Sequence, residues 1–389
     1  MLGVRLAVPA SLIAIMAAAA FFYTHQPAGT LWIDFAEYWA SARLLLEGEN
    51  PYDAGMMAAL QRASTDAPET VLMWNPPLVF PFTAPLGAVD FKFARVIWLL
   101  LSCGLMSWVA VRSIWENFKG ERLFARCRLP AILYTASFPG FMYCFVYGQI
   151  SPLLMLGFWL FWTTLDRRDA RGAILGGLAL SLTLLKPQLL YLTYLSLLLN
   201  WRKAQNRYAL LGLAGGFAFL ASAAWALSDQ VWQQYLAAMS SPPLYWKTPS
   251  LGSLVQGISG IADTAIRSLP AAVCALVLCS ACLWRGLGWG KGVVSMTAAV
   301  SVFCSPYAWT YDLAILFPVF LWAVGRAVAC RGESLAARML IVAAVAGNFA
   351  ALLIPGDGMH ELVWYPALGV LLTFGAWRLD ARRASTLQV

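Results

Sequence analysis

Apolar residues in this chain form runs of up to about 20, separated by short polar segments. A membrane crossing needs about 20 mostly apolar residues, or fewer where protein shields the ends of the helix. The pattern therefore predicts about twelve transmembrane helices. Their apolar cores lie near residues 5–23, 93–112, 129–147, 150–165, 172–186, 188–200, 208–227, 269–284, 292–304, 312–325, 337–354 and 362–377.

The composition supports this interpretation. Of the 389 residues, 60% are hydrophobic and only 12% are charged, whereas soluble domains have about 25% charged residues. Disordered chains lack this much apolar surface. Both classes are excluded, and we predict a single all-α polytopic membrane domain over residues 1–389.

The positions of the basic residues favour one orientation. With the N-terminus inside, 20 of the 27 Lys and Arg residues fall in predicted cytoplasmic segments, as the positive-inside rule requires. The net charge of +8 therefore needs no nucleic-acid partner. Two long outer loops result, at residues 24–91 and 228–268. The outer basic residues are Arg43, Arg62, Lys92, Arg95, Lys186, Lys247 and Arg267.

The first apolar run has two interpretations. Residues 1–20 resemble a cleavable signal peptide, but apolar residues continue through Tyr23 and favour a retained first span. The cysteines are interpreted as small packing residues, because they show no metal-binding or redox spacing.

The first outer loop is predicted to begin with an amphipathic helix that lies flat at the membrane interface. Its apolar side chains recur at helical spacing from Phe35 to Leu46, while Glu37 and Ser41 fall on the other face. Asp34 stands at the start of this helix. It is either an N-cap or a general base that accepts a proton from a hydroxyl group.

Several short motifs resemble glycosyltransferase family 87, a family of bacterial membrane enzymes that includes polyprenol-phosphate-mannose-dependent α-mannosyltransferases. They extend over most of the chain, from about Asp34 to Leu316. The motifs are Asp34-Phe35-Ala36-Glu37-Tyr38-Trp39, Gly48-Glu49-Asn50-Pro51-Tyr52, Asn75-Pro76-Pro77, Gly148-Gln149, Lys186-Pro187-Gln188 and Ser305-Pro306-Tyr307-Ala308-Trp309.

The resemblance implies a GT-C type bundle in the bacterial inner (plasma) membrane, with the active site on the extracytoplasmic face. It implies transfer of a sugar, most often mannose, from a polyprenyl phosphate to a glycan or glycolipid acceptor, with inversion at the anomeric carbon. Asp34 stands where the family has its catalytic aspartate, which favours the general base. Histidine is common in the family near Thr310 and Tyr311, so this chain departs from the pattern there.

Lys186 is the first candidate to bind the donor phosphate. It follows an apolar helix on the outer side, where a cation runs against the positive-inside trend. The alternative is a lysine that snorkels to lipid headgroups. Arg267 is a weaker phosphate candidate. Glu37 is either a ligand of sugar hydroxyls or a solvated helix charge.

Other candidates lie on the outer turns. Gln149 and Gln188 are predicted to donate hydrogen bonds to phosphate or sugar. Tyr311 and Asp312 start a span, and Asp312 is either a helix cap or a substrate ligand. His360 lies on the last outer turn, where a solvated side chain is the main alternative.

Several absences shape the functional prediction. The sequence has no Asp-x-Asp pair and no P-loop, so neither a metal cofactor nor ATP-driven chemistry is predicted. The resemblance to family 87 implies a hexosyltransferase whose donor is a lipid-linked sugar. A membrane transporter or lipid-linked sugar flippase is the alternative from another class, and a ligase for lipid-linked glycans is a third.

Overall fold

The structure is a computed structural model, and the described residues contain helices and no β-strand. It describes residues 7, 10, 33–64, 70–118, 130–167, 169–285, 289–330, 334–353 and 361–386. The predicted first span, residues 5–23, lies almost wholly outside this part of the chain. The prediction of an all-α protein is confirmed for the residues that are described.

The α-helices differ widely in length, from 8 to 27 residues. Their bounds are α1 (Ile33–Leu46), α2 (Ala54–Ser64), α3 (Phe80–Gly87), α4 (Phe91–Asn117), α5 (Pro139–Tyr147), α6 (Ser151–Thr164), α7 (Ala170–Leu180), α8 (Tyr191–Leu199), α9 (Ala204–Leu227), α10 (Val231–Met239), α11 (Leu251–Ser259), α12 (Thr264–Arg285), α13 (Lys291–Cys304), α14 (Phe317–Cys330), α15 (Leu335–Leu353) and α16 (Trp364–Thr386). The 3-10 helices include Pro77–Val79, Ser181–Leu185, Pro187–Leu189 and Thr310–Leu316.

Within the described residues, six helical segments are long and apolar enough to cross a membrane. They are Phe91–Asn117, Ala204–Leu227, Thr264–Trp284, Thr310–Cys330, Leu335–Leu353 and Glu361–Asp380. Each corresponds to one of the twelve predicted cores. Most of the other predicted cores form shorter helices, among them α5, α6 and α8. Proline and glycine at the outer turns interrupt these shorter segments. The described residues thus support a polytopic protein with six candidate spans, and the predicted number of twelve is unconfirmed.

Glycines allow the tightest helix crossing in the bundle. A Cβ at Gly177 of α7 would lie 1.9 Å from the backbone oxygen of Ala209, and a Cβ at Gly212 of α9 would lie 2.0 Å from that of Ile174. Both distances are far below van der Waals contact. Small residues let helix backbones approach closely in membranes, where apolar side chains gain little by leaving lipid.

Segments that the predicted topology places on one side of the membrane do meet in the structure. Lys291 forms an ion pair with Asp166, and Arg326 forms one with Asp380 at 3.2 Å. All four residues belong to predicted cytoplasmic segments. The predicted outer turns converge at the opposite end of the bundle, where the candidate site lies.

Candidate active site

Helix α1 is buried on both faces. It extends over nearly the range that the sequence pattern predicts, but Glu37 is only 5% exposed and Ser41 is fully buried. The prediction that its polar face meets water at the membrane interface is therefore wrong. The α1 side chains pack against α3 and against aromatic residues of α4 such as Phe91 and Trp98, so the polar face points into the protein.

Asp34 lies inside α1, because the helix already includes Ile33. Its carboxylate therefore does not act as the N-cap of this helix. Asp34 Oδ2 instead accepts a hydrogen bond of 2.5 Å from Gln149 Nε2. Gln149 follows the left-handed Gly148 at the end of α5, and this turn carries the amide into the site.

Gln149 connects the two sides of the site. Its Oε1 atom accepts hydrogen bonds from Tyr38 Oη at 2.8 Å and from Lys186 Nζ at 3.0 Å. Its Nε2 atom is bound to Asp34. One amide therefore joins the predicted base to the predicted phosphate ligand, although the two residues are 152 positions apart in the sequence.

Lys186 lies between two 3-10 helices, Ser181–Leu185 and Pro187–Leu189. The side chain is buried, and its Nζ atom donates to Asp312 Oδ1 at 2.8 Å and lies 4.7 Å from the centre of the Tyr311 ring. A lysine that snorkelled to lipid headgroups would direct its ammonium out of the protein. The buried ion pair is incompatible with that alternative.

Asp312 has one of its two predicted roles, that of a helix cap, and the role of a substrate ligand stays a prediction. Its Oδ2 atom accepts from the backbone N–H of Trp309 at 3.0 Å and so caps the 3-10 helix Thr310–Leu316. Its Oδ1 atom accepts from Lys186 and from Ser151 Oγ at 2.9 Å. The carboxylate thus orients the lysine at the wall of the cavity.

A cavity of about 300 Å³ lies next to this network. Its volume is at the lower end of the range for small-molecule sites, roughly 300–1,000 Å³. The polar side chains on its wall are Glu37, Tyr38, Asn75, Gln149, Lys186, Gln188, Thr264, Ser268 and Asp312. Asp34 is not on the wall but directly behind Gln149.

Aromatic rings form the other side of the cavity. Trp246 is at the centre of this group, with ring centroids 5.8 Å from Trp74, 5.5 Å from Trp309 and 6.3 Å from Tyr307. The Trp309 ring in turn stacks on Tyr311 at 6.0 Å. Such faces suit the C–H-rich side of a hexose, while the polar wall suits its hydroxyl groups.

Burial changes the proton affinity of both carboxyl groups on α1, which is not one of the six candidate spans. Desolvation raises the pKa of Asp34 to about 6, although Gln149, Lys186 and Tyr311 act in the opposite direction. Desolvation also raises the pKa of Glu37, to well above its ordinary value, and the nearby Asp34 charge adds to this rise. At neutral pH, Asp34 is therefore mainly ionised.

Arg267 is fully buried behind the wall of the cavity. Its Nε atom donates to the Pro306 carbonyl at 2.6 Å, and its Nη1 atom donates to the Trp246 carbonyl at 2.9 Å. The guanidinium also packs against the Tyr307 ring at 3.9 Å. These contacts fasten the second outer loop to the Pro306 turn, so they support a positioning role for Arg267 in preference to direct phosphate binding.

The structure brings most of the predicted site residues together. Asp34, Glu37, Gln149, Lys186, Tyr311 and Asp312 form one network, and Gln188 lies on the same wall. His360 lies outside the described residues.

Three polar contributors were not predicted. The helical pattern predicts that Tyr38 belongs to the apolar stripe of α1, but its hydroxyl donates to Gln149 and accepts from Asn75 Nδ2 at 3.0 Å. The other two are Asn75 and Ser151, for which the sequence pattern predicts no role in the site. The one available signal was the position of Asn75 and Ser151 next to prolines at predicted outer turns.

A polar network sheltered inside a helical membrane bundle is typical of membrane-embedded transporters and enzymes. The sequence profile of glycosyltransferase family 87 matches residues 73–306, which is more than half of the chain, and the protein belongs to this family. It is a membrane glycosyltransferase, which favours the enzyme over the transporter or flippase alternative. The matched range includes Gln149 and Lys186, while Asp34 and Asp312 lie outside it. No curated protein sequence and no solved structure matches the chain.

Proposed function

We propose that the protein transfers a hexose, mannose in the first instance, from a polyprenyl-phosphate sugar to a glycan or glycolipid acceptor at the extracytoplasmic face, with inversion. The observation that carries this proposal is the hydrogen-bonded chain from Asp34 through Gln149 to Lys186 beside the aromatic cavity. This chain joins Asp34, whose pKa is raised by burial, to Lys186, a buried cation that can bind an anionic group.

Lys186 is suited to the donor phosphate. Negative charge on the phosphate grows as its bond to the sugar breaks, and a fixed cation stabilises that transition state more than the ground state. An ammonium has three N–H donors. Within the described residues, Asp312 and Gln149 take up two of them, which leaves one for a phosphate oxygen.

Asp34 is suited to accept the proton of the acceptor hydroxyl. A base is most effective when its pKa lies near the working pH, and burial raises the pKa of Asp34 towards that range. Gln149 lies between this carboxylate and the cavity. The acceptor hydroxyl must therefore displace the Gln149 amide or reach the other carboxylate oxygen.

The proposed reaction is a single displacement. Asp34 takes the proton from the acceptor hydroxyl while the hydroxyl oxygen forms a bond to the anomeric carbon of the sugar. The bond from that carbon to the phosphate oxygen breaks on the opposite face, and polyprenyl phosphate leaves with the electron pair. Attack from the opposite face gives inversion.

Glu37 and the aromatic group are suited to orient the sugar. The Glu37 carboxyl group lies on the wall of the cavity, where it can form a hydrogen bond with a sugar hydroxyl. Its Oε1 atom accepts from Asn75 Nδ2 at 3.3 Å. The Trp246 group then covers the apolar face of the ring.

Activity of the purified protein in liposomes tests the proposal. With a polyprenyl-phosphate hexose and an acceptor glycolipid, we expect release of polyprenyl phosphate that depends on the acceptor. The Asp34→Asn variant should lose about 10²-fold or more of this rate. Glu47→Gln is the matched control, because Glu47 is exposed on the same chain segment and pairs only loosely with Arg43 at 3.6 Å.

Two results would contradict the proposal. Near-normal transfer by Asp34→Asn would remove Asp34 as the base. Accumulation of a solute in the liposomes, with no transfer from any lipid-linked sugar, would favour the transporter.

A further inference from the structure

A second cavity, of about 450 Å³, lies at the other end of the bundle from the candidate active site. Helix α6 connects the two: Ser151 at its start binds Asp312, and Thr163 near its end lines the second cavity. At about 1.5 Å per residue, these positions are about 18 Å apart. The second cavity is therefore separate from the transfer site, and it lies among the predicted cytoplasmic segments.

The wall of this cavity carries an excess of positive charge. Four cationic side chains line it, namely Arg112, Arg167, Lys291 and Arg326, together with two carboxylates, Glu116 and Asp166. Asp166 pairs with Lys291, and Glu116 lies 3.8 Å from Arg112. Arg326 pairs with Asp380, which does not line the cavity, so within the described residues only the Arg167 charge is left without a carboxylate partner.

Tryptophan side chains line the cavity together with the cations. This arrangement distinguishes the site from the scattered basic residues that are expected on cytoplasmic loops. Trp108, Trp159, Trp162 and Trp322 line the cavity. The Lys291 ammonium lies 4.3 Å from the centre of the Trp162 ring. Rings fixed beside cations are typical of membrane-interface sites, where one end of a ligand is apolar and the other is polar.

An apolar groove of about 510 Å³ lies next to the cavity. It shares Leu160, Thr163 and Arg167 with the cavity wall and runs between helices α6, α7 and α9. Its lining is largely apolar and includes Leu175, Leu178, Phe219 and Leu220. The cationic cavity is complementary in charge to an anionic head group, and the neighbouring apolar groove is suited to a hydrocarbon chain.

We propose that this cavity binds the phosphate of an anionic phospholipid from the leaflet opposite the active site, and that the groove holds one acyl chain. The basic side chains attract the phosphodiester, Arg167 can donate to it, the tryptophan rings flank the headgroup, and the groove buries the chain. This site does not depend on the sugar-transfer reaction proposed above.

Lipid binding to the purified full-length protein, measured by native mass spectrometry, tests the proposal. Phosphatidylglycerol should bind more tightly than phosphatidylcholine of the same chain length. The double variant Lys291→Gln/Arg326→Gln should bind phosphatidylglycerol about tenfold more weakly or worse, because it removes two cations beside the phosphate. Arg202→Gln/Lys203→Gln is the matched control, since both residues are exposed cations of a predicted cytoplasmic segment outside the cavity.

A second variant covers the case in which the charge variant does not fold. Arg167→Gln removes the cation that lines both the cavity and the groove and leaves the three ion pairs intact, and it should also weaken phosphatidylglycerol binding. Equal binding of the two lipids by the wild-type protein would overturn the proposal. So would equal loss of binding in the control variant. Displacement of phosphatidylglycerol by millimolar inorganic phosphate would assign the cavity to a soluble anion instead.

The groove has its own test. Leu175→Trp narrows the groove without touching the charges, and it should weaken phosphatidylglycerol binding while the KM for the sugar donor stays unchanged. A higher donor KM with unchanged phosphatidylglycerol binding would show that the donor's hydrocarbon chain occupies the groove.

Discussion

The negative charge of Asp34 is buried away from water. We therefore expect the Asp34→Asn variant to have opposite effects on activity and on stability. Asparagine keeps a carbonyl oxygen that can accept from Gln149 Nε2, so the hydrogen bond of 2.5 Å can persist. It removes the negative charge. We expect the variant to lose transfer activity and yet to unfold at a higher temperature at neutral pH.

The size of this stabilisation follows from the pKa of Asp34. Burial raises it from 3.8 to about 6, so the folded protein binds this proton more strongly than the unfolded chain. The folded state therefore loses stability as the pH rises from about 4 to about 6, and the loss persists at higher pH. A difference of about 2 pH units corresponds to about 3 kcal/mol, which is the upper limit of the gain in Asp34→Asn.

Thermal unfolding in detergent measures this effect directly. The wild-type protein and Asp34→Asn should have similar Tm values at pH 4.5, and the variant should lie higher by a few degrees at pH 7.5. Glu47→Gln, which alters an exposed carboxylate, should show no such divergence. Parallel Tm curves for wild type and Asp34→Asn over this pH range would refute the argument that Asp34 carries an unfavourable buried charge.

The remaining predictions concern the neighbouring residues and the packing of the bundle. Glu37→Gln should keep an acid limb of kcat/KM near pH 6, because Asp34 is the group that ionises there; loss of that limb would move the base role to Glu37. Arg267→Lys should expose the second outer loop to protease, because one ammonium cannot replace the contacts of the guanidinium; unchanged cleavage would argue against its positioning role. Gly177→Ala should lower the free energy of unfolding by a few kcal/mol, since its Cβ would overlap a carbonyl of α9, whereas Gly215→Ala, whose Cβ meets nothing within 4 Å, should not.

Hydropathy and charge determined the coarse organisation of this protein. Six of the predicted apolar cores are helices long enough to span a membrane, and the ion pairs Lys291–Asp166 and Arg326–Asp380 join segments assigned to the same side. These properties follow from the sequence because each helix must satisfy its own backbone hydrogen bonds in lipid. The matched family profile also agrees with the motifs noted in the sequence.

The site could be predicted only in part. The position of Lys186 on an outer turn marked it as a candidate, because a cation there opposes the general charge trend. Its partner could not be identified in the same way: Asp312 is 126 positions further along the chain. A charge pattern reports which side of the membrane a residue occupies, but it does not report which turns meet there.

Helix α1 shows the same limit most clearly. The helical period correctly predicted a helix that carries Asp34 and Glu37, but it assigned the polar face to water. In the folded protein that face meets Gln149 and Asn75, which come from other turns. The sequence by itself determined that these carboxyl groups belong to an outer helix. Only tertiary packing decided that they are buried and have raised pKa values, because desolvation depends on neighbours that the local sequence does not contain.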